Sequence, residues 1–153
     1  MRKNKIKTEK NIIKVATGEA SGLWDHPMLT ISYKYSKPCS KMKDRKETLK
    51  KKIKLKKSYK AVIYYIVSEL LENSIIESPS SIDTVCHRVV HGGEKYTKAT
   101  KITEKVMRGI EELSDLAPLH NPINLAGIKA ALKVFPEAEH FAIFDTQFHA
   151  SMN

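Results

Sequence analysis

An α/β fold is predicted from three features of the sequence. Leu29, Ile31, Tyr33 and Tyr35 alternate with polar residues, the period of a half-buried strand. Tyr59, Val62, Ile63, Ile66, Val67, Leu70 and Leu71 recur at i, i+3, i+4 and i+7, the stripe of an amphipathic helix. From there on, strand-like and helix-like segments alternate, the order that lays helices on a sheet.

The elements follow in chain order. Ile12 to Ala16 is a short apolar run that reads as a strand, and Gly18, Gly22 and Pro27 punctuate what comes next. After the strand at 29–35, Pro38 to Lys52 is the least structured stretch, and Ile53 and Leu55 alternate with lysines as a brief strand. The segment from Lys41 to Lys57 is expected to be exposed and to add little to a core. The helix spans Tyr59 to Asn73 with Ser58 as its cap. Ser78-Pro79-Ser80-Ser81 breaks the chain. Thr84 to Val90 reads as a strand closed by Gly92-Gly93. A second helix covers Thr103 to Leu113, with Val106, Met107, Ile110 and Leu113 on one face. Pro118 and Pro122 frame a stiff loop around Leu119-His120-Asn121. A third helix runs from Asn124 to Phe135 and stops at Pro136. Phe141 to Asp145 is a buried strand with a carboxylate at its tip.

The charge is uneven. The chain has 153 residues and a net charge of +10. Residues 1–60 hold 19 Lys/Arg against 5 Asp/Glu, whereas residues 61–153 hold 8 against 12. A basic half fits nucleic acid, an anionic surface or simply a solvated lysine face; the solvated face is the ordinary case. Two cysteines, Cys39 and Cys86, without a CxxC spacing, argue against a disulfide framework or a zinc site. No apolar run approaches the ~20 residues of a membrane span, and the Met1-Arg2-Lys3 start lacks a signal-peptide core. A cytoplasmic location is expected.

Three segments carry chemistry. In His87-Arg88-Val89-Val90-His91-Gly92-Gly93, a strand arginine precedes a glycine pair, and arginine grips carboxylate or phosphate with two parallel hydrogen bonds. In Ala117-Pro118-Leu119-His120-Asn121-Pro122, prolines hold His120. In Phe144-Asp145-Thr146, the aspartate ends a strand. Each has an ordinary structural explanation on its own: an ion pair, a loop filler, a strand terminus. His87 and His91 are four apart, a spacing that suits a metal on a helix but not on a strand entering a turn. Gly18 to Gly22 has neither GK[ST] nor G-x-G-x-x-G and is no phosphate loop.

Taken in order, HRVVHGGE at 87–94, ELSDLAPLHNPINLAGI at 112–128 and FAIFDTQFHASM at 141–152 resemble the acetate kinase family. The resemblance runs nearly ungapped from Ile82 to Met152. Lys52 to Ser80 is similar to the family's preceding strand and helix, and Thr17 to Leu23 is faintly similar to a stretch after its second strand. It implies the superfamily of sugar kinases, actin and heat-shock chaperones, whose members have two ribonuclease H-like α/β domains with ligand between them. The expected architecture is then a partial ribonuclease H-like domain over 17–153, a mixed sheet with flanking helices, preceded by a basic, poorly ordered segment over 1–16. The family's first strand, its Asn…Gly-Ser-Ser-Ser phosphate loop and its second domain have no counterpart in these residues, and Cys86 stands where the family usually has glycine.

The resemblance also implies an activity, phosphoryl transfer between ATP and acetate to give acetyl phosphate and ADP, with Mg²⁺. Residue by residue, Arg88 matches the arginine that binds the acetate carboxylate and the transferring phosphoryl. His120 matches the transition-state histidine, Asp145 the catalytic aspartate, and Val90 and Leu119 the walls of the methyl pocket. No residue is assigned to nucleotide or metal. The expected ligands are acetate and acetyl phosphate. The family is homodimeric, with most of its interface in the part without counterpart here, and a chain of this extent is expected to be inactive alone. The alternatives are a basic binding module, with nucleic acid the less expected partner, and a propionate or butyrate kinase relative.

Overall fold

The computed structural model describes residues 16–21, 29–35, 49–53 and 58–147. The chain divides into two compact units, Met1–Lys54 and Leu55–Asn153. In the first, β1 (Ala16–Ser21), β2 (Leu29–Tyr35) and β3 (Leu49–Ile53) form an antiparallel sheet in that order. β2 has the bounds its alternation predicts. β1 corrects the reading of Gly18 as punctuation. All six of its residues pair with β2, Ala16 opposite Tyr35 and Ser21 opposite Thr30. A full ladder outweighs the weak strand preference of one glycine. β3 likewise corrects the reading of 49–52 as unstructured: Leu49 pairs with Tyr33 and Ile53 with Leu29. Three consecutive lysines on an edge strand are a common guard against further strand addition. The expected strand at Ile12–Ala16 lies outside the described residues except for Ala16, as do the segments 1–15 and 36–48.

The second unit begins with α1 (Tyr59–Glu72), whose first turn is capped by Ser58: its Oγ accepts from the Ala61 N–H at 3.1 Å. A short 3₁₀ turn at Pro79–Ser81 leads into β4 (Thr84–Val89). Then come β5 (Thr100–Lys101), too short to read from sequence, and α2 (Glu104–Glu112), capped by Thr103. α3 (Asn121–Val134) and β6 (Glu139–Phe144) complete it. α3 starts three residues before the Asn124 expected. Pro122 does not frame a loop; it sits in the helix's first turn, where its missing N–H costs nothing and its fixed φ is already helical.

The sheet order is β4-β6-β5, with β4 and β6 parallel and β5 antiparallel to β6. This is a mixed sheet with flanking helices. Alternate residues of β6, His140, Ala142 and Phe144, are buried. With Val89 of β4, Ala142 and Phe144 meet Val106 and Ile110 of α2 and Leu125 and Ile128 of α3 in one core. Tyr96 stacks on Phe144, ring centroids 4.9 Å apart. Its hydroxyl lies where a side chain on Gly109 would be, so α2 passes over Tyr96 only with glycine at that position.

Candidate functional site

The parallel strands β4 and β6 end side by side, Val89 opposite Phe144, and the ladder continues one step as the Asp145 N–H donates to the Val89 carbonyl at 3.0 Å. This register sets Arg88 and Asp145 within reach although 57 positions separate them. Arg88 Nε donates to Asp145 Oδ1 and Oδ2 at 2.9 and 3.1 Å, and Nη2 to Oδ2 at 2.7 Å. The pair is open to solvent, with side-chain exposures of 76% and 39%. The Arg88 hydrogen bonds hold the Asp145 carboxyl below its usual range; burial opposes them, and the Arg88 charge adds a lesser push in the same direction as the bonds. Asp145 in turn raises the guanidinium, through hydrogen bonding first and charge second. Asp145 engages the Nε–Nη2 edge of the fork, so Nη1 remains for an anion.

Beyond the strand ends, α3 grips the turn. Asn121 is wholly buried. Its Oδ1 accepts from the His91 N–H at 3.2 Å, and its Nδ2 donates to the His91 carbonyl at 3.1 Å and, more weakly, toward Leu113 and Ile110. One turn on, Asn124 Oδ1 accepts from the Val90 N–H at 3.1 Å. Composition alone gave no warning of these two asparagines, because their partners are backbone groups about thirty residues away.

The glycine turn is bonded both to itself and to the residue after Asp145. Gly93 has φ +58°, a backbone that favours glycine. The Gly92 N–H donates to Thr146 Oγ1 and the Gly93 N–H to His91 Nδ1, each at 3.0 Å. His91 Nδ1 is thereby engaged in the turn, and His87 Nε2 by another histidine, His140.

His120 stands immediately before Asn121, at the same end of the sheet. Its carbonyl accepts the Asn124 N–H at 2.8 Å, and its imidazole does not cap the helix. It is exposed and lies outside the Arg88–Asp145 pair. Val90 is half-buried, and Leu119 is 76% exposed; as a pocket wall, Leu119 needs a further surface facing it. Leu116 and Ile123 are exposed alongside it in sequence, at 60% and 50%.

The profile of the Acetokinase family matches residues 18–153. An acetate kinase of Bacillus cereus is 52% identical over 87 residues, which cover 57% of this chain and 22% of that protein. That of Geobacillus kaustophilus is 49% identical over 92 residues, 60% of this chain and 23% of the relative. Among solved structures, a propionate kinase from Francisella tularensis subsp. tularensis matches with TM-score 0.74 and 31% identity over 91% of this chain and 32% of that one. An acetate kinase from Porphyromonas gingivalis matches with TM-score 0.71 and 32% identity, over 83% and 30%. The chain thus spans about a fifth of these curated relatives and about a third of the solved structures.

Proposed function

Since this chain belongs to the acetokinase family, we propose that it carries the acyl-phosphate side of a site for phosphoryl transfer between ATP and acetate. The observation that supports this most is the Arg88–Asp145 pair at the joined ends of two parallel strands. Ligands of open α/β sheets gather at such strand ends. The transferring group spreads negative charge over its oxygens, and its stabilisation is mostly electrostatic and positional. Arg88 binds the acyl carboxylate and the phosphoryl through the free edge of its fork. Asp145 holds the guanidinium in plane and orients the nucleophile. His120, fixed at the start of α3, donates to the developing charge. Val90 and Leu119 line the methyl side. Location in the cytoplasm and pairing into homodimers belong to the same reading.

Nucleotide and metal fit the described residues less well. The Gly92 and Gly93 amides, which could cradle a phosphate, already donate to Thr146 Oγ1 and His91 Nδ1. Among the described residues no group of three His, Cys, Asp or Glu side chains is placed to hold a metal ion, and Asp145 is committed to Arg88. No step is assigned to Mg²⁺ or to ATP phosphates on these residues. Among the described residues no helix is long and apolar enough to cross a membrane.

Propionate is the second acyl group to consider, since a propionate kinase is among the structural likenesses. One methylene in an apolar pocket is worth only about 1–3 kcal/mol. Titration of the chain with acetyl phosphate, followed by the Arg88 Nε–H resonance and by the backbone amide resonances of residues 87–93, which Arg88→Ala retains, tests the site. The expected result is saturable binding that chloride does not mimic and that Arg88→Ala abolishes. Equal effects of chloride and acetyl phosphate would overturn it. In a hydroxamate assay with ATP and acetate, the chain is expected to give no more product than its Asp145→Asn variant, because proximity worth about 7–11 kcal/mol is missing when the nucleotide is not held.

A further inference from the structure

Directly before Arg88, on the other side of the strand, His87 makes a contact that the proposed chemistry does not use. Its Nε2 lies 3.0 Å from Nδ1 of His140 on β6. The rings are nearly parallel, 14° apart, with centroids separated by 5.3 Å. His140 is 4% exposed, and its Nε2 lies 3.0 Å from the carbonyl of Phe135, the residue that ends α3.

These distances fix the protons. A carbonyl only accepts, so His140 Nε2 carries a hydrogen and donates to Phe135. Neutral His140 then has a bare Nδ1, which accepts from His87 Nε2–H. The chain of bonds runs from β4 through β6 to the end of α3. Among the described residues β4 is the outer strand in the order β4-β6-β5, and its ladder there binds it to β6. The histidine chain is a second tie, one residue before Arg88.

A proton added to His140 Nδ1 would set N–H against N–H at 3.0 Å. A proton added to His87 Nδ1 keeps the bond but places a cation beside a second imidazole in a half-buried site. Burial and His140 are what act on its charge. Within β4, Cys86 and Arg88 lie on the opposite face, by strand alternation. On β6, Glu139 faces away from His140 and pairs with Lys101 of β5. On α3 and the turn after it, Lys133 and Glu137 point to the surface side. Burial first, and His140 second, lower the His87 pKa from 6.5 to about 4.

We propose that His87 and His140 form a proton-sensitive latch, closed when both imidazoles are neutral, that fixes the segment of β4 carrying Arg88 against β6 and the end of α3. Acid opens it by driving His87 into solvent, and Arg88 then loses its fixed approach to Asp145. Asp145 itself ionises below its usual range, held there first by the Arg88 hydrogen bonds.

The test is a pH titration of the full chain from about 8 to about 3, spanning the ordinary and the lowered histidine range, following the histidine ring C–H and the Arg88 Nε–H resonances by NMR. The expected result is a His87 midpoint near 4, with the Arg88 signal changing in step with it. In His140→Phe the His87 midpoint should rise by the lesser, His140 part of the shift and stay below 6.5, because burial is kept. His87 titrating near 6.5 in the wild type would overturn the latch. So would an Arg88 signal that stays constant while His87 protonates. The wild-type titration decides even if the variant does not fold. No turnover is measured, so the result is separate from the fate of the proposed activity.

Discussion

At the scale of single residues, the exposed and buried polar groups divide the work. Arg88 and Asp145 are well bonded but open to water, where ion pairs add little to stability. Arg88→Ala is therefore expected to leave the urea midpoint unchanged while removing acetyl phosphate binding. Asn121 is the opposite case. It has no exposed surface and satisfies backbone groups at both faces of the turn, so Asn121→Ala leaves buried donors and acceptors unpaired. A loss of about 2–4 kcal/mol in urea denaturation is expected. Tyr96 has a buried hydroxyl with no hydrogen-bond partner among the described residues, so Tyr96→Phe should match or slightly exceed the wild type. His87 gives stability a pH dependence. Its pKa is lower folded than unfolded, so the contribution is whole above pH 6.5 and is lost as pH falls from 6.5 toward 4. Denaturation at about pH 7 and about pH 5 should show the loss, and His87→Gln should reduce it. Arg88, His120 and Asp145 could be picked out from sequence because their motifs are local. Asn121 and His140 could not, because what they bond to is set by how β4, α3 and β6 come together.

At the scale of elements, periodicity succeeded where burial is one-sided. β2, α1, α2, β4 and β6 lie within a residue or two of their expected bounds, since each has an apolar face of the right period. The misses have a common physical origin. β1 and β3 carry glycine and lysine, and their structure comes from pairing with β2. β5 is two residues held by β6. α3 begins early because Pro122 serves a first turn as well as it serves a loop. The caps were legible and are testable. Ser58→Ala removes the acceptor for the Ala61 N–H and should cost about 1 kcal/mol, read as a lower denaturation midpoint.

At the scale of the whole molecule, the core residues of the cluster around Phe144 all belong to the unit Leu55–Asn153, as do Arg88, His120 and Asp145. A chain of residues 55–153 is therefore expected to unfold in one cooperative transition and to keep the Arg88 Nε–H resonance of the full chain. The basic charge lies largely in the other unit, so any weak binding of polyanions by the full chain should vanish with residues 55–153 and fall steeply with salt.

The parallel pairing of β4 with β6 also sets the order of events on the ribosome. Thr84 pairs with Glu139, and α2 and α3 lie between them. Synthesis at about 5–20 residues per second gives β4 a wait of about 3–11 s before its partner is made. Over that interval Val85 and Val89 have no strand to lie against, and Arg88 has no carboxylate. Translation pace across 90–139 thus becomes a variable in the yield of folded protein, and the nascent chain presents an unpaired apolar strand to any chaperone near the exit tunnel.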